Sequence, residues 1–234
     1  MILNDIGMIL ANNVRSSAYI QSLINHDYIL SYILFLNNIE KASKPLFDSS
    51  IGFNSNEIKK SYFDVTINSI DIAKKYKIPY LVLDTYDTNS SILIDALKKT
   101  SQKYFIYSGP GGQILNEETL SIGKEFLHFH PGKVPDYRGS TTIYYSILDN
   151  DTCHVSAFFL RKTIDAGPII SVKQYVKPKD GKIIDFIYDP FIRSSLLVDV
   201  INDYVKNGFE FILKENSNED EETYFIIHPV LKHI

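Results

Sequence analysis

The sequence predicts an α/β protein with a mostly parallel central sheet flanked by helices. Short apolar runs alternate with longer segments in which apolar residues recur at helical spacing, the pattern of successive βαβ units. The run 28–36 is apolar almost throughout, as expected for a strand covered on both faces of a parallel sheet. With 234 residues the chain can bury one sizeable core. We expect one domain over residues 1–213, and over 214–234 an acidic turn and a C-terminal extension that packs on it.

Four strands and three helices are predicted in the N-terminal half. The strands are short apolar runs bounded by turn residues, at 6–11, 28–36, 79–84 and 104–107. Apolar residues three to four apart predict the intervening helices, at 16–25, over much of 57–76, and at 90–99. Residues 37–56 include Pro45 and Gly52 and are predicted to form an irregular connection.

The C-terminal half begins with a fifth strand that contains His128 and His130. The elements predicted after it are a helix at 140–148 with a Ser or Thr N-cap, a strand at 153–161, an antiparallel strand at 169–176 and a long helical pattern at 184–211. Asp189-Pro190 is expected to divide that last pattern into two segments. Residues 215–222 are acidic and predict a solvated turn, and 224–234 are apolar enough to pack back on the body.

Composition and charge argue against several classes of function. A net charge of −4 and a pI near 5.9 give no basic patch for phosphates, so we expect no nucleic-acid partner. No apolar run approaches the roughly 18 residues of a membrane span, and the N-terminus lacks a basic segment followed by an apolar one. Cys153 is the single cysteine, so no internal disulfide can form. We expect a cytoplasmic protein with no membrane partner.

The stretch 125–139, E-F-L-H-F-H-P-G-K-V-P-D-Y-R-G, contains the strongest candidate site. Strand periodicity places His128 and His130 on the same face. Pro131 and the glycines and prolines after it prevent regular structure up to about residue 140. The two imidazoles are therefore expected at the end of a strand, beneath an irregular loop. In α/β proteins, ligands bind at the carboxyl ends of the strands.

Asp165, in the segment I-D-A-G-P-I-I at 164–170, is a candidate third member of this site. Packing alone gives little reason for two histidines on one strand face beside Pro-Gly. From the residues themselves three interpretations stay open: acyl transfer, hydrolysis, and a metal site made of two histidines and one carboxylate.

Two turns are candidates for binding a phosphate. Residues 12–17, N-N-V-R-S-S, open the first predicted helix, where free N–H groups and the helix dipole attract an anion and Arg15 adds a positive charge. The alternative is an ordinary polar turn with a serine cap. Residues 109–112 follow the fourth predicted strand, but they lack both the G-x-G-x-x-G pattern and the lysine of a phosphate-binding loop.

Two motifs resemble those of the folate-dependent formyltransferase family, which includes the sugar N-formyltransferases, glycinamide ribonucleotide formyltransferase and methionyl-tRNA formyltransferase. They are H-P-G-K-V-P-D-Y-R-G at 130–139 and D-A-G-P-I-I at 165–170. The family pattern is Asn-x-His-Pro-Ser-x-x-Pro-x-Tyr-Arg-Gly, then, after a similar gap, Asp-x-Gly-Pro-Ile. The segment G-Q-I-L at 112–115 is similar to a turn that helps to wall the folate pocket. The resemblance implies a Rossmann-like formyltransferase fold with N10-formyltetrahydrofolate as co-substrate.

Carried over by position, the resemblance implies catalytic roles for His130 and Asp165, and it puts His128 where the family has a catalytic asparagine. It implies folate-binding roles for Gly112, Gln113, Ile114, Leu115, Val134, Pro135 and Gly167. It implies substrate-binding roles for Asn13, Arg15, Ser16, Tyr137 and Arg138, and it implies no metal. The chain also departs from the pattern at Gly132, where the family has serine, and at Asn116, where a proline often follows the turn.

The activity that the resemblance implies is transfer of a formyl group to an amine of a small molecule, with a nucleotide-linked amino sugar favoured. In the family, the histidine and asparagine stabilise the oxyanion, and the aspartate holds the histidine and a water that relays a proton. A neutral imidazole at His128 offers one N–H, as an amide does, but it also titrates near neutrality. A hydrolase or other acyl-type enzyme in which His128 activates water, and a metal-binding or non-catalytic relative, therefore stay open.

A tRNA acceptor is not expected. The family members that act on tRNA carry a separate C-terminal domain, and the segment after Asp165 is needed to complete the core and its long helix. The resemblance leaves a homodimer open.

Overall fold

The computed structural model describes residues 1–36, 62–216 and 223–232. The chain forms two compact units, Met1–Leu127 and His128–Ile234, which are described separately below. The predicted irregular connection at 37–56, the start of the helix predicted within 57–76, and most of the acidic turn at 215–222 lie outside the described residues.

The first unit contains a parallel sheet. Its strands are β1 (Ile2–Ala11), β2 (Ile29–Leu36), β3 (Tyr80–Leu83), β4 (Tyr104–Ser108) and the first half of β5 (Glu125–His130). Their order across the sheet is β3-β2-β1-β4-β5, and every adjacent pair is parallel. The central strands β1 and β4 are apolar and buried along most of their length, which is why they show no polar alternation in the sequence.

In the described part of this unit, four helices accompany these strands: α1 (Val14–Asn25), α2 (Ser69–Lys75), α3 (Ser91–Lys98) and α4 (Glu117–Leu120). The helix predicted over much of 57–76 is wrong for residues 62–68, which are not helical, whereas α2 is helical as predicted. The cause is local. The Asn68 side chain accepts hydrogen bonds from the backbone N–H groups of Ile70 and Asp71, and so it caps a helix that begins at Ser69.

The second unit begins with the last three residues of β5. Its other elements are β6 (Arg138–Gly139), α5 (Thr142–Asn150), β7 (Thr152–Phe159), β8 (Ile169–Val176), a 3₁₀ turn (Gly181–Ile183), a π turn (Ile184–Tyr188), α6 (Asp189–Lys206), β9 (Thr223–Tyr224) and a last 3₁₀ turn (Pro229–Lys232). Strand order here is β5-β7-β8, with β7 and β8 antiparallel as predicted, while β6 and β9 form a separate parallel pair.

Two sequence predictions for this unit have different outcomes. The long helical pattern does divide at Asp189-Pro190, with a π turn before it and α6 after it. The expected N-cap of α5 is wrong: Thr141 precedes the helix in a left-handed conformation (φ 54°) and makes no capping bond. Its hydroxyl instead donates to the Ser140 carbonyl and accepts from the backbone N–H of Ile227, which ties the C-terminal segment to α5.

These elements confirm the predicted fold class, an α/β Rossmann-like fold with a mostly parallel sheet and flanking helices. Across the three described ranges, no helix is long and apolar enough to cross a membrane.

Candidate active site

The end of β5 brings His128 and His130 together on one face, as strand periodicity predicted. Their ring centroids are 6.4 Å apart. His130 is 2% exposed, whereas His128 is half-buried. The ring of Phe158, on β7, lies against both imidazoles, with centroid distances of 5.7 Å to His128 and 6.2 Å to His130. Phe158 therefore forms an apolar wall that excludes water from one side of the pair.

The hydrogen bonds of His130 fix its tautomer. Its Nε2 lies 2.7 Å from the carbonyl oxygen of Tyr137, which can only accept, so Nε2 carries a hydrogen. Its second contact, 3.1 Å from the Thr142 hydroxyl, agrees, because that hydroxyl already donates to the Pro131 carbonyl at 2.9 Å. The loop after β5 and the start of α5 thus hold the Nε2 side of the ring, and Nδ1 is the nitrogen left for chemistry.

Asp165 faces that nitrogen. Its Oδ2 is 3.3 Å from Nδ1 of His130, and its side chain is 10% exposed. The same oxygen accepts a hydrogen bond from the backbone N–H of Gly139 at 2.8 Å. Asp165 has a left-handed backbone (φ 50°), which aspartate tolerates better than most residues. Asn216 donates to the backbone carbonyls of Asp165 and Gly167, each at 3.1 Å, and so holds this turn in place.

Hydrogen bonds from Ser156 on β7 hold the loop after β5 in place. The Ser156 hydroxyl donates to the Gly132 carbonyl at 2.6 Å and accepts from the backbone N–H of Val134 at 3.1 Å. Gly132 is required here because a Cβ would lie 2.7 Å from the Tyr137 oxygen and 2.8 Å from both the His130 Nε2 and the Thr142 hydroxyl. The absence of the family serine at position 132 therefore follows from the way this chain holds His130.

Arg193 of α6 supports the strand itself. Its Nη1 donates to the carbonyl of Phe129, between the two histidines, at 2.9 Å. Its Nε donates to Asp189 one helical turn earlier, at 2.8 Å, with both side chains largely buried. A buried ion pair thus anchors the strand end that presents the imidazoles.

Among the residues that the resemblance links to folate, Val134 and Gly167 belong to this unit with Pro135. Val134 is buried in a small apolar cluster with Phe158 and Ile169. Gly167 packs so closely on β7 that a Cβ would lie 1.7 Å from the Phe159 carbonyl oxygen. A glycine at position 167 is thus explained by packing alone, and a folate contact there stays a prediction.

Tyr137 and Arg138, which the resemblance links to substrate, both form hydrogen bonds with other side chains of the second unit. The Tyr137 hydroxyl donates to Asp149 at 3.1 Å and accepts from Asn150 at 2.7 Å. Burial and the neighbouring Asp149 carboxylate raise the pKa of Tyr137 to about 12, so the phenol stays protonated at neutral pH. Arg138 is buried and donates to the Asn216 side chain at 3.2 Å.

In the first unit, Asn13, Arg15 and Ser16 lie at the start of α1, and Arg15 and Ser16 contact the end of β4. The Asn13 side chain caps α1 by accepting from the Ser16 N–H at 2.9 Å. Arg15 donates from Nε to the Ser108 hydroxyl at 3.1 Å and from Nη2 to the Gly109 carbonyl at 2.7 Å. Ser16 is fully buried and its hydroxyl contacts Ser108 at 2.9 Å. The turns 12–17 and 109–112, which are far apart in the sequence, are therefore joined through Arg15.

The segment Gly112 to Leu115 is held by the loop after β3. The Gln113 side chain accepts from the Thr88 N–H at 2.9 Å and donates to the Tyr86 carbonyl at 3.0 Å. The carbonyl of Ile114 accepts from Asn89, Leu115 is buried, and Gly112 has a φ of 77° that favours glycine. Asn116 replaces the frequent proline for a clear reason: it caps α4 and its own N–H donates to Asn89, which proline could not do.

Sequence reasoning missed the residues that hold the catalytic candidates in place: Thr142, Ser156, Arg193 and Asn216. Each contacts the site through a partner at least 12 positions away in the chain, so no spacing or motif marks it. Cys153, the single cysteine, is buried, and burial raises the pKa of its thiol to about 12, so it is protonated at neutral pH.

Within the described residues, His128, His130 and Asp165 form a group in which one ligand atom of each lies within 4.8 Å of the others. This arrangement can do two things chemically. It can present an N–H donor beside an imidazole–carboxylate pair, as acyl transfer requires, or it can offer two nitrogens and one oxygen to a metal ion.

Comparison with known sequences finds similar proteins that are formyltransferases. No family model matches the chain. Its sequence is similar to those of methionyl-tRNA formyltransferases. It is 26% identical to the Finegoldia magna protein over 142 residues, which are 59% of this chain and 45% of the relative. It is 32% identical to the Chloroflexus aurantiacus protein over 104 residues, which are 42% of this chain and 33% of the relative. The chain spans less than half the length of these curated relatives.

Solved structures share the fold. A phosphoribosylglycinamide formyltransferase from Anaplasma phagocytophilum matches with a TM-score of 0.60 at 12% identity, over 93% of this chain and 96% of that protein. A sugar N-formyltransferase from a Shewanella species matches with a TM-score of 0.56 at 15% identity, over 94% of this chain and 76% of that protein. At such identities the likeness concerns the fold.

The chain is thus an α/β protein with the formyltransferase fold. Together with the sequence matches and the motifs at 130–139 and 165–170, this confirms the predicted resemblance to the formyltransferase family.

Proposed function

We propose that this protein transfers a formyl group from N10-formyltetrahydrofolate to an amine of a small molecule. The observation that carries the proposal is the buried pair of His130 and Asp165, 3.3 Å apart, beside the second histidine at the end of β5. Desolvated donors and a proton acceptor at one point are what attack of an amine on a formyl carbon needs.

The reaction forms a bond between the amine nitrogen and the formyl carbon and breaks the bond between that carbon and N10 of the folate. The amine loses one proton and N10 gains one. Negative charge develops on the formyl oxygen in the tetrahedral intermediate, so a positioned N–H donor lowers the barrier. A carboxylate nearby stabilises the ammonium that forms and accepts its proton, directly or through water.

We assign these tasks from the hydrogen bonds at the site. Nε2 of His130 donates to the Tyr137 carbonyl, and Nδ1 faces Asp165, so this ring works together with the carboxylate on proton transfer. His128 stands where the family has asparagine and is half-buried, so it is the group that offers an N–H to the formyl oxygen.

A nucleotide-linked amino sugar is the acceptor that we favour. It is supported by the fold match to the Shewanella sugar N-formyltransferase and by a match, with a TM-score of 0.55 at 16% identity, to a sugar 3N-formyl transferase solved in the presence of dTDP and 5-N-formyl-THF. Folate contacts are assigned to 112–115, Val134, Pro135 and Gly167, and substrate contacts to Asn13, Arg15, Ser16, Tyr137 and Arg138. A cytoplasmic location without a nucleic-acid partner belongs to the proposal.

The test is to supply N10-formyltetrahydrofolate with a panel of acceptors and to measure tetrahydrofolate release together with the formylated product. The panel should contain several nucleotide-linked amino sugars, glycinamide ribonucleotide and initiator methionyl-tRNA. Product with one amino sugar alone supports the proposal. Release of tetrahydrofolate without any amine would identify a hydrolase, and product with the tRNA alone would exclude the small-molecule acceptor.

Replacing His128 by asparagine should keep kcat/KM within about tenfold of the wild type, which is ~1.4 kcal/mol in barrier. The reason is that an amide supplies the same single donor that a neutral imidazole supplies. Steady-state kinetics with the best acceptor measures it. A loss of about 10²–10⁴-fold with an unchanged circular dichroism spectrum would instead make His128 a general base.

Replacing Arg15 by alanine should raise KM for a phosphorylated acceptor by about 10- to 100-fold, the value of a charge-assisted hydrogen bond, with a smaller change in kcat. Ser108→Ala is the matched control, since it removes the partner of Arg15 Nε but keeps the positive charge. If Ser108→Ala raises KM as much as Arg15→Ala, then Arg15 acts by shaping the turn and not by contacting phosphate.

A further inference from the structure

We propose that His128, His130 and Asp165 also form a binding site for a divalent transition-metal ion such as Zn²⁺. This goes beyond the proposed function, because formyl transfer needs no metal ion, although the same three side chains are involved. The set of two imidazoles and one carboxylate suits borderline ions of the Zn²⁺ and Fe²⁺ type, and in the family's pattern the asparagine at the position of His128 would leave only two such ligands.

The distances favour one ion shared by the three groups. Ligand nitrogens and oxygens lie about 2.0–2.2 Å from Zn²⁺, which places two ligands of a tetrahedral site about 3.4 Å apart. Nδ1 of His130 and Oδ2 of Asp165 are already 3.3 Å apart. The ligand atoms of all three residues lie within 4.8 Å of one another, so His128, the half-buried member, closes the site by a side-chain rotation.

The surroundings of the ligands match those of metal sites. A histidine that binds a metal commonly donates its other ring N–H to a backbone carbonyl or a carboxylate, which fixes the tautomer and the ring orientation. His130 does this through Nε2 to the Tyr137 carbonyl at 2.7 Å, and the lone pair of a neutral ring is then on Nδ1, facing Asp165. The ligating oxygen of Asp165 is in turn fixed by the Gly139 N–H.

The distance between His130 and Asp165 matches the distance between two ligands of one metal ion. Hydrogen bonds between a cationic nitrogen and a carboxylate are commonly about 2.7–2.9 Å. At 3.3 Å the pair is longer than that and close to the ligand spacing of a tetrahedral ion. Three protein ligands leave one coordination position open for water. An ion there occupies Nδ1, so metal binding and formyl transfer are expected to exclude one another.

Equilibrium dialysis against Zn²⁺ after chelator treatment tests the site without folate or amine. The wild type should bind one equivalent tightly. Affinity should fall by about 100-fold or more in His128→Asn and Asp165→Asn, because the loss of a direct ligand exceeds the 10- to 100-fold that follows from loss of its hydrogen-bond partner. His26→Asn is the control, since His26 is an exposed histidine at the end of α1.

Two results would overturn the inference: no stoichiometric Zn²⁺ binding by the wild type, or equal affinity in the wild type and both ligand variants. Circular dichroism of each variant separates loss of a ligand from loss of the fold, and the two ligand variants come from different segments, so misfolding of one does not decide the outcome. A failed folate assay with intact Zn²⁺ binding would reject the proposed function alone, and the reverse pattern would reject the metal site alone.

Discussion

Replacing either His130 or Asp165 by alanine is expected to lower kcat/KM for formyl transfer by about 10²–10⁴-fold, the usual contribution of a general acid–base group. The imidazole is held by the Tyr137 carbonyl and the Thr142 hydroxyl, and its Nδ1 faces only Asp165 among the ion-pair partners in the described residues. Loss of either member therefore breaks up the proposed proton-handling pair.

The double variant shows whether the two residues act as one unit. If they do, His130→Ala with Asp165→Ala should be scarcely worse than the more damaging single variant, because the second change removes nothing that still works. If the losses simply multiply, the pair acts as two independent groups and the proposed role of Asp165 is wrong.

Asp165→Asn and Asp136→Asn sharpen this test. Asparagine at position 165 can still accept from the Gly139 N–H, so activity lost there reports on the carboxylate charge and not on an unpaired backbone group. Asp136 lies in the same loop and forms an exposed pair with Lys133 at 2.6 Å, so its replacement should leave both activity and stability nearly unchanged.

The candidate catalytic residues could be predicted from the sequence because their signals are local. A period of two fixes the shared face of His128 and His130, and Pro131 with Gly132 ends the strand directly after them. The residues that orient the ring could not be predicted, since Thr142 is 12 positions and Arg193 is 64 positions from the group it contacts. Such pairs follow from the packing of separate elements, for which a single sequence has no periodic signal.

The same distinction explains the errors in the fold. Strands were predictable as apolar runs, but in residues 62–68 helical spacing marked burial and not a helix. Phe63 and Val65 are buried although their segment is not helical, and the helix begins only after the Asn68 cap. Thr141 likewise has the composition of an N-cap, yet its hydroxyl is used by Ser140 and Ile227. Capping residues identify a helix start only when no long-range partner competes for them.

Restoring the family's serine at position 132 is expected to damage this protein. The new Cβ would lie 2.7 Å from the Tyr137 carbonyl oxygen and 2.8 Å from both the His130 Nε2 and the Thr142 hydroxyl, so those three groups must separate. They are the groups that orient His130. Because a displacement of about 1 Å at a catalytic group can reduce activity on the order of 10²-fold, kcat/KM should fall by that much while the fold persists.

Alanine variants identify the cause of that loss. Gly132→Ala adds the same Cβ without a hydroxyl and should lose as much activity as Gly132→Ser. Gly111→Ala is the control: no atom lies within 4 Å of its added Cβ, so this variant should unfold at the wild-type temperature. Steady-state kinetics and thermal unfolding measure both effects. If Gly132→Ser is fully active, the loop can move away from His130, and the bonds from Tyr137 and Thr142 do not hold the ring. A Gly132→Ser protein that loses activity but regains part of it in combination with Thr142→Ala would show that the hydroxyl of Thr142 occupies the space of the family's serine.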